Sequence, residues 1–274
     1  MRQVDLAAEG AAAGDTTSTG FPSVDKWLGG GVRAGDLIVL GGDVGSGKSA
    51  LALAMAMRIA LDGRSALLFT TEMTVERVIE RAVAIEGRSR VDDLRSGKLD
   101  DVARSGVGAA ALRIREAKPL IERAPATVTE LVERIRDAKR LHELDVVFVD
   151  SLQGLVGATE VTMDEEQASV VRALKRTALD LEVALVLVSH LKQRRKAAGD
   201  ERPTLADFGS KDAVRHHADV VTAIYREEMY SPGGGVEGGT EFLFLKNRNG
   251  STGYVDLYFY KQWLRFEDML DPDR

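Results

Sequence analysis

From about residue 19 to residue 224 the chain alternates short, continuously apolar runs with longer stretches whose apolar positions recur at helical spacing. Leu37-Ile38-Val39-Leu40 precedes a helical pattern from Ala50 to Leu61, and Ala66-Leu67-Leu68-Phe69 precedes another from Val75 to Ile85. Thr127-Val128-Thr129-Glu130 reads as a capping box opening a helix with Leu131, Ile135, Ala138 and Leu141 on one face, which feeds Val146-Val147-Phe148-Val149. A helix over about 164–181 leads into Val183 to Val188, and Val220 to Ile224 forms a further run. Strands buried on both faces of a sheet need such unbroken apolar sequence. Their alternation with helices predicts an α/β fold, a mostly parallel central sheet with helices on both faces.

The pattern changes near the C-terminus. Phe242 to Leu245 and Tyr254 to Tyr260 flank Asn247-Arg248-Asn249-Gly250, and Asn-Gly is a strong hairpin signal, so a C-terminal β-hairpin should extend one edge of the sheet. Between Glu227 and Gly239, five glycines and one proline predict a flexible loop. Residues 1–17 carry no sustained apolar period and are expected to be a flexible tail; 18–274 should form one domain.

Composition narrows the class. The chain of 274 residues is 44% hydrophobic and 29% charged, with no apolar run of membrane-spanning length and no charged-then-apolar leader. A cytoplasmic protein without membrane contact is expected. The absence of cysteine excludes disulfides, thiolate nucleophiles and Cys-type zinc sites, so any metal must sit on oxygen or imidazole. A net charge of -6 argues against a uniformly basic surface but leaves room for a local basic loop.

The chemistry concentrates after the first strand. Gly42-Asp43-Val44-Gly45-Ser46-Gly47-Lys48-Ser49 matches the phosphate-binding pattern G-x-x-x-x-G-K-[ST], lies between predicted strand and helix, and runs on into Ala50. Glycines let backbone amides turn inward around phosphate oxygens, the helix offers its positive N-terminus, Lys48 supplies a cation and Ser49 a hydroxyl for Mg²⁺. The bland alternative is a glycine-rich turn with a chance lysine. The expected ligands are ATP, or a similar nucleotide, and Mg²⁺.

Two acids end neighbouring strands. Asp150 closes an apolar strand in the Walker B manner and should hold the metal; its bland reading is a helix cap or turn. Glu72 could polarise the attacking water, or simply be a solvated charge before Thr74. His190 closes a third strand, where it could sense the terminal phosphate or merely be structural. Lys246 and Arg248, two apart, would share a face in strand geometry, and Lys192, Arg194, Arg195 and Lys196 form a basic cluster; both sets could be no more than solvated charge.

Taken in order, these segments resemble the RecA-like ATPase domain of DnaB-type replicative helicases. The resemblance runs from about Thr19 to Glu267, through Thr19-Gly20-Phe21 with Asp25, the P-loop, Thr71-Glu72-Met73 and Leu94 to Leu99. It continues through Asp150-Ser151-Leu152-Gln153, Ser189-His190, Ala218-Asp219-Val220-Val221 and Lys246 to Gly253, and closes at Trp263 to Glu267. It implies that Glu72 is the catalytic base, Asp150 the Walker B acid and His190 the γ-phosphate sensor. It also implies that Arg248 is an arginine finger, with Lys246 beside it, reaching the nucleotide of a neighbouring subunit in a homo-oligomeric ring, commonly a hexamer, with single-stranded DNA through its centre.

The sequence departs from the family at three places. Only about 18 residues precede the core, where family members usually carry a helical domain and linker, so primase contact is not part of the expectation. The sensor is histidine rather than glutamine, which is also similar to RadA-like and KaiC-like members of the wider RecA group. Gly209 and Ser210 stand where the family offers an arginine and a glutamate toward DNA, leaving Lys211 with Lys192, Arg194 and Arg195 as the candidate contacts. The expected function is therefore a ring-forming, DnaB-like helicase or translocase; the alternative is a RadA-like or KaiC-like regulatory ATPase that controls a protein partner.

Overall fold

A computed structural model describes residues 16–156, 161–192, 200–231, 233 and 235–269. Strand β1 (Thr16–Thr17) precedes helix α1 (Pro22–Trp27), β2 (Val32–Arg33), β3 (Leu37–Gly42) and α2 (Lys48–Leu61). Then come β4 (Ala66–Thr70), α3 (Val75–Gly87), α4 (Val91–Ser96), α5 (Asp101–Ala117), β5 (Leu120–Arg123), α6 (Val128–His142) and β6 (Val146–Asp150). The chain continues through α7 (Met163–Leu181), β7 (Ala184–His190), α8 (Ala213–His217), β8 (Val220–Tyr225), β9 (Gly239–Asn247), β10 (Gly253–Tyr260) and β11 (Arg265–Asp268).

Among the described residues nine strands form one sheet in the order β11-β10-β9-β8-β3-β7-β6-β4-β5. The six from β8 to β5 are parallel, and β9, β10 and β11 add on antiparallel. Alternate residues of each central strand enter opposite cores. Ile38, Leu40, Leu68, Phe148 and Val186 meet the apolar surface of α2 on one side, while Leu37, Val39, Phe69, Val147 and Leu187 meet α6 and α7 on the other. This is the predicted α/β architecture with both faces covered.

Helix α2 is buried almost all round, from Ala50 through Met57. A helix without a polar face belongs inside a domain, and here it is held between the sheet, β11 included, and helices α3 and α5. Arg58 near its end donates to the carbonyls of Gly20 (2.7 Å) and Phe266 (2.9 Å) and to Glu267 (2.9 Å). Thr19 donates through its N–H and hydroxyl to buried Asp25. The Thr19-Gly20-Phe21 signature with Asp25 thus ties the start of the fold to its last strand.

Several details differ from the sequence reading. Thr16 and Thr17 pair with Arg33 and Val32 instead of lying in a tail; residues 1–15 fall outside those described. Only the threonine half of the capping box predicted at Thr127 forms, through Glu130 N at 3.2 Å, whereas a complete box sits at Thr162 and Glu165. The hairpin exists, but Phe244 pairs with Gly253, so Asn249-Gly250 belongs to a wide loop and not a two-residue turn. Asn247 holds that loop by donating to Trp27 O and Ser251 O, and Asn249 donates to Asp36.

Candidate nucleotide site

The parallel register brings four strand ends level. Gly42 at the end of β3 is opposite His190 of β7, Val188 of β7 is opposite Asp150 of β6, and Asp150 is opposite Thr70 of β4. The crevice beyond the carboxyl ends of such strands is where open α/β sheets bind ligands.

Gly42 to Ser49 curves over these ends. Gly45 (φ 81°) and Gly47 (φ 100°) adopt backbone that L side chains rarely accept, and Ser46 N donates to Asp43 O at 3.1 Å to close the turn. A Cβ on Gly47 would stand 2.9 Å from the Phe266 ring, so the loop and β11 approach too closely for any larger residue. No side chain caps α2 at Gly47, which leaves its first N–H groups free to receive an anion. Lys48 is buried, with Nζ 3.4 Å from Asp43 O. Burial holds its ammonium below the ordinary lysine range, opposed by the nearby Asp150, Glu72 and Asp43. Asp43 also accepts from the Tyr230 hydroxyl, and Tyr230 stacks on Tyr225 with ring centroids 5.4 Å apart. Within the segment predicted to be flexible between Glu227 and Gly239, Tyr230 is therefore anchored on the P-loop.

Ser49 Oγ donates to Asp150 Oδ1 at 3.1 Å. Burial raises the Asp150 carboxyl above its usual range, the Ser49 hydroxyl offsets part of this, and Glu72 adds to it. A buried carboxylate beside a second acid and a hydroxyl is a hard-oxygen pair that fits Mg²⁺, an ion that takes its remaining positions from phosphate and water. Among the described residues no group of three or more His, Asp or Glu is arranged to hold a metal.

Glu72 faces the same crevice. Its Oε1 accepts from Ser151 Oγ at 2.8 Å and lies 3.5 Å from His190 Nε2, and its side chain is 57% exposed, open to a water. Burial, and then the Lys48 cation, push the His190 imidazole below its ordinary value, with Glu72 opposing, so the ring is neutral at physiological pH. Gln153 accepts from His190 N (3.0 Å) and donates to Ser189 Oγ (3.3 Å), fixing the end of β7. Thr71 Oγ1 accepts from Ser151 N at 2.9 Å and donates to Asp150 O at 3.1 Å, joining β4 to β6. Ser151, Gln153 and Thr71 were not singled out for a role from the sequence; each stands within one to three residues of a strand-end acid, which is the signal that would have found them. Arg81 on α3, close enough to lower the Asp150 carboxyl, was also missed, since a helical arginine carries no motif of its own.

The structure does not bring Lys246 and Arg248 to this crevice. Lys246 pairs with Val221 and Asn247 with Val220 at the start of β8, whereas Gly42 is level with Ile224 near its end. Lys246 Nζ donates to Ala218 O (2.5 Å) and Arg215 O (2.8 Å). Arg248 donates to Asp219 Oδ1 (2.8 Å) and His216 O (3.3 Å).

Lys192 and Lys211 lie together at the first turn of α7, and both are paired. Lys192 Nζ is 2.6 Å from Asp164 Oδ2, and Lys211 is bonded to Glu165, whose carboxyl that lysine holds down at about 2. Gly209, Ser210, Lys211 and Asp212 all have positive φ, pinned by Ser210 Oγ donating to Gln167 (3.0 Å) and Ser210 N donating to Asp164 (3.3 Å). Arg194 and Arg195 lie outside the described residues.

The family described as the DnaB-like helicase C-terminal domain matches residues 16–268. The replicative DNA helicase DnaB of Geobacillus stearothermophilus is 28% identical over 255 residues, covering 92% of this chain and 56% of the relative. The chain thus spans little more than half the length of such relatives. One solved ATPase domain is similar over 97% of both chains, with a TM-score of 0.87 and 23% identity. A solved DnaB-like replicative helicase, studied with its interactions with primase, gives a TM-score of 0.89 at 22% identity over 97% of this chain and 66% of that one.

Proposed function

The chain belongs to the DnaB-like helicase C-terminal domain family, and from that premise we propose that it is a Mg²⁺-dependent ATPase, one subunit of a hexameric ring that moves along single-stranded DNA. One observation carries the shared-site part of this reading. Arg248 sits at the Leu37 end of β3 and the P-loop at its Gly42 end, roughly 17 Å apart at the usual rise of a strand. An arginine there lies far from its own pocket, and the donors it does not spend on Asp219 and His216 O are left for the nucleotide of another copy.

Within one subunit the parts divide by position. The open amides of α2 and Lys48 hold the phosphates, and Ser49 with Asp150 would hold Mg²⁺, which when bound neutralises charge on the phosphate oxygens. Glu72, held at Oε1 by Ser151, orients and deprotonates the attacking water. Neutral His190, hydrogen-bonded through its main chain to Gln153, stands where loss of the terminal phosphate would be felt and passed to residues 191–212. Arg248 of the neighbour stabilises the charge that develops on transfer.

A second reading has one observation in its favour. Lys192 and Lys211 are neutralised by Asp164 and Glu165, as expected of an ATPase that controls a protein partner and has no use for DNA. ATP turnover at low salt separates the two: single-stranded DNA should raise it severalfold, and turnover indifferent to DNA would favour the regulatory ATPase.

A further inference from the structure

Asp219 is a buried acid that the mechanism above leaves unused. It is 5% exposed, and its surroundings are built in layers. Oδ2 accepts from Leu37 N at 2.8 Å and from Lys175 Nζ, on α7, at 2.6 Å. The main chain doubles the attachment, with Asp219 N donating to Leu37 O at 2.9 Å and Arg248 N donating to Asp219 O at 3.0 Å. The carboxylate is therefore fixed by β3 and α7 before it meets the arginine, and Oδ1 is turned toward Arg248 Nη1. Burial pushes the carboxyl up, but the Lys175 and Leu37 donors, with Arg248, hold it below its ordinary range and so ionised.

We propose that Asp219 is a positioning residue that holds the Arg248 guanidinium ready for the neighbouring subunit's nucleotide. The inference rests on the shared-site reading above. A guanidinium has five N–H donors, and here one bond to Asp219 and one to His216 O leave three for a phosphate. Arg248 is half exposed at the base of a wide loop, just past the end of β9, where an arginine side chain without such contacts would sample many rotamers. Two bonds from a rigid base remove that freedom in advance, and misplacing a catalytic group by about 1 Å can cost about 100-fold. The neighbouring Lys246 is held by the carbonyl of Ala218, so one short segment sets both cations.

The test uses the full chain with Mg²⁺-ATP. Asp219→Asn should lower kcat by roughly 10- to 100-fold while KM for ATP moves less than about threefold, because its own P-loop is untouched. Mixed with Glu72→Gln subunits, whose fingers are intact and whose sites are dead, Asp219→Asn subunits should regain turnover above either variant alone. A merely structural role for Asp219 would give no such rescue. Arg248→Ala mixed with Glu72→Gln is the control: if that pair is not rescued, the shared site itself is wrong and the proposal falls with it. If that pair is rescued and Asp219→Asn is not, only the role of Asp219 is overturned. Should Asp219→Asn fail to fold with Lys175 left unpaired, Asp219→Glu keeps the charge, displaces the carboxylate and is judged by the same two readouts; wild-type kcat in it would overturn the proposal.

Discussion

Glu72 and His190 share a crevice but differ in what the protein asks of their protons. Glu72 is open to solvent beside Ser151, so Glu72→Gln should leave nucleotide binding intact and lower kcat by on the order of 10² to 10⁴, read from single-turnover hydrolysis alongside nucleotide titration. Normal turnover in that variant would remove Glu72 from the mechanism. His190 is held neutral, and its folded value lies below the 6.5 at which it titrates when unfolded. Between those two values the unfolded chain binds the extra proton, so stability rises with pH and is lost as pH falls through the lowered folded value. Unfolding free energies at about pH 7 and about pH 5 should therefore differ less in His190→Gln than in the wild type; equal differences would contradict the assignment. The P-loop and Asp150 were readable because each is a local pattern with a strand in front of it. Ser151, Gln153 and Arg81 were not, because their roles come from strand register and helix placement and have no local pattern.

Buried parallel strands announce themselves, and β3, β4, β6, β7 and β8 were all legible as unbroken apolar runs. Strand β5 was not, since Leu120 to Arg123 lies half exposed at an edge and its polar residues hide it. Helix α5 carries Gly106 and Gly108, where Gly106 lets the helix pass Gly87 O closely enough that a Cβ would stand 2.9 Å from it, and those glycines blur the helical period. Helix α7 makes its own prediction. Its first-turn acids Asp164 and Glu165 occupy Lys192 and Lys211, and exposed pairs of this kind contribute only about 0 to 1 kcal/mol each. In the double variant Asp164→Asn, Glu165→Gln, single-stranded DNA affinity should rise a fewfold, and its salt slope should steepen by about 1.4, two phosphate contacts at about 0.7 each. Fluorescence anisotropy over a salt series measures both, and an unchanged slope would mean those lysines do not meet DNA.

For the molecule as a whole, the resemblance anticipated the fold, but only the sheet order could tell that the P-loop crevice and Arg248 lie at opposite ends of the central strands. Arg248→Ala should lower ATP turnover by about 10³-fold or more while single-subunit nucleotide affinity is kept, compared by steady-state rates and calorimetry. Mass measured in Mg²⁺ with a non-hydrolysable ATP analogue should exceed that of one 29.7 kDa chain severalfold. A monomer under those conditions, with full activity, would end the shared-site account.

The placement of pocket and finger also gives each copy a front and a back. If the arginine of one copy serves the pocket of the next, the two contact surfaces are unlike, and a lone pair of copies leaves one pocket unserved and one finger idle. Each added copy repeats that mismatch at the growing end. The mismatch disappears only when the last copy meets the first; a small error in the angle between copies would instead wind the same contacts into an endless spiral fibre.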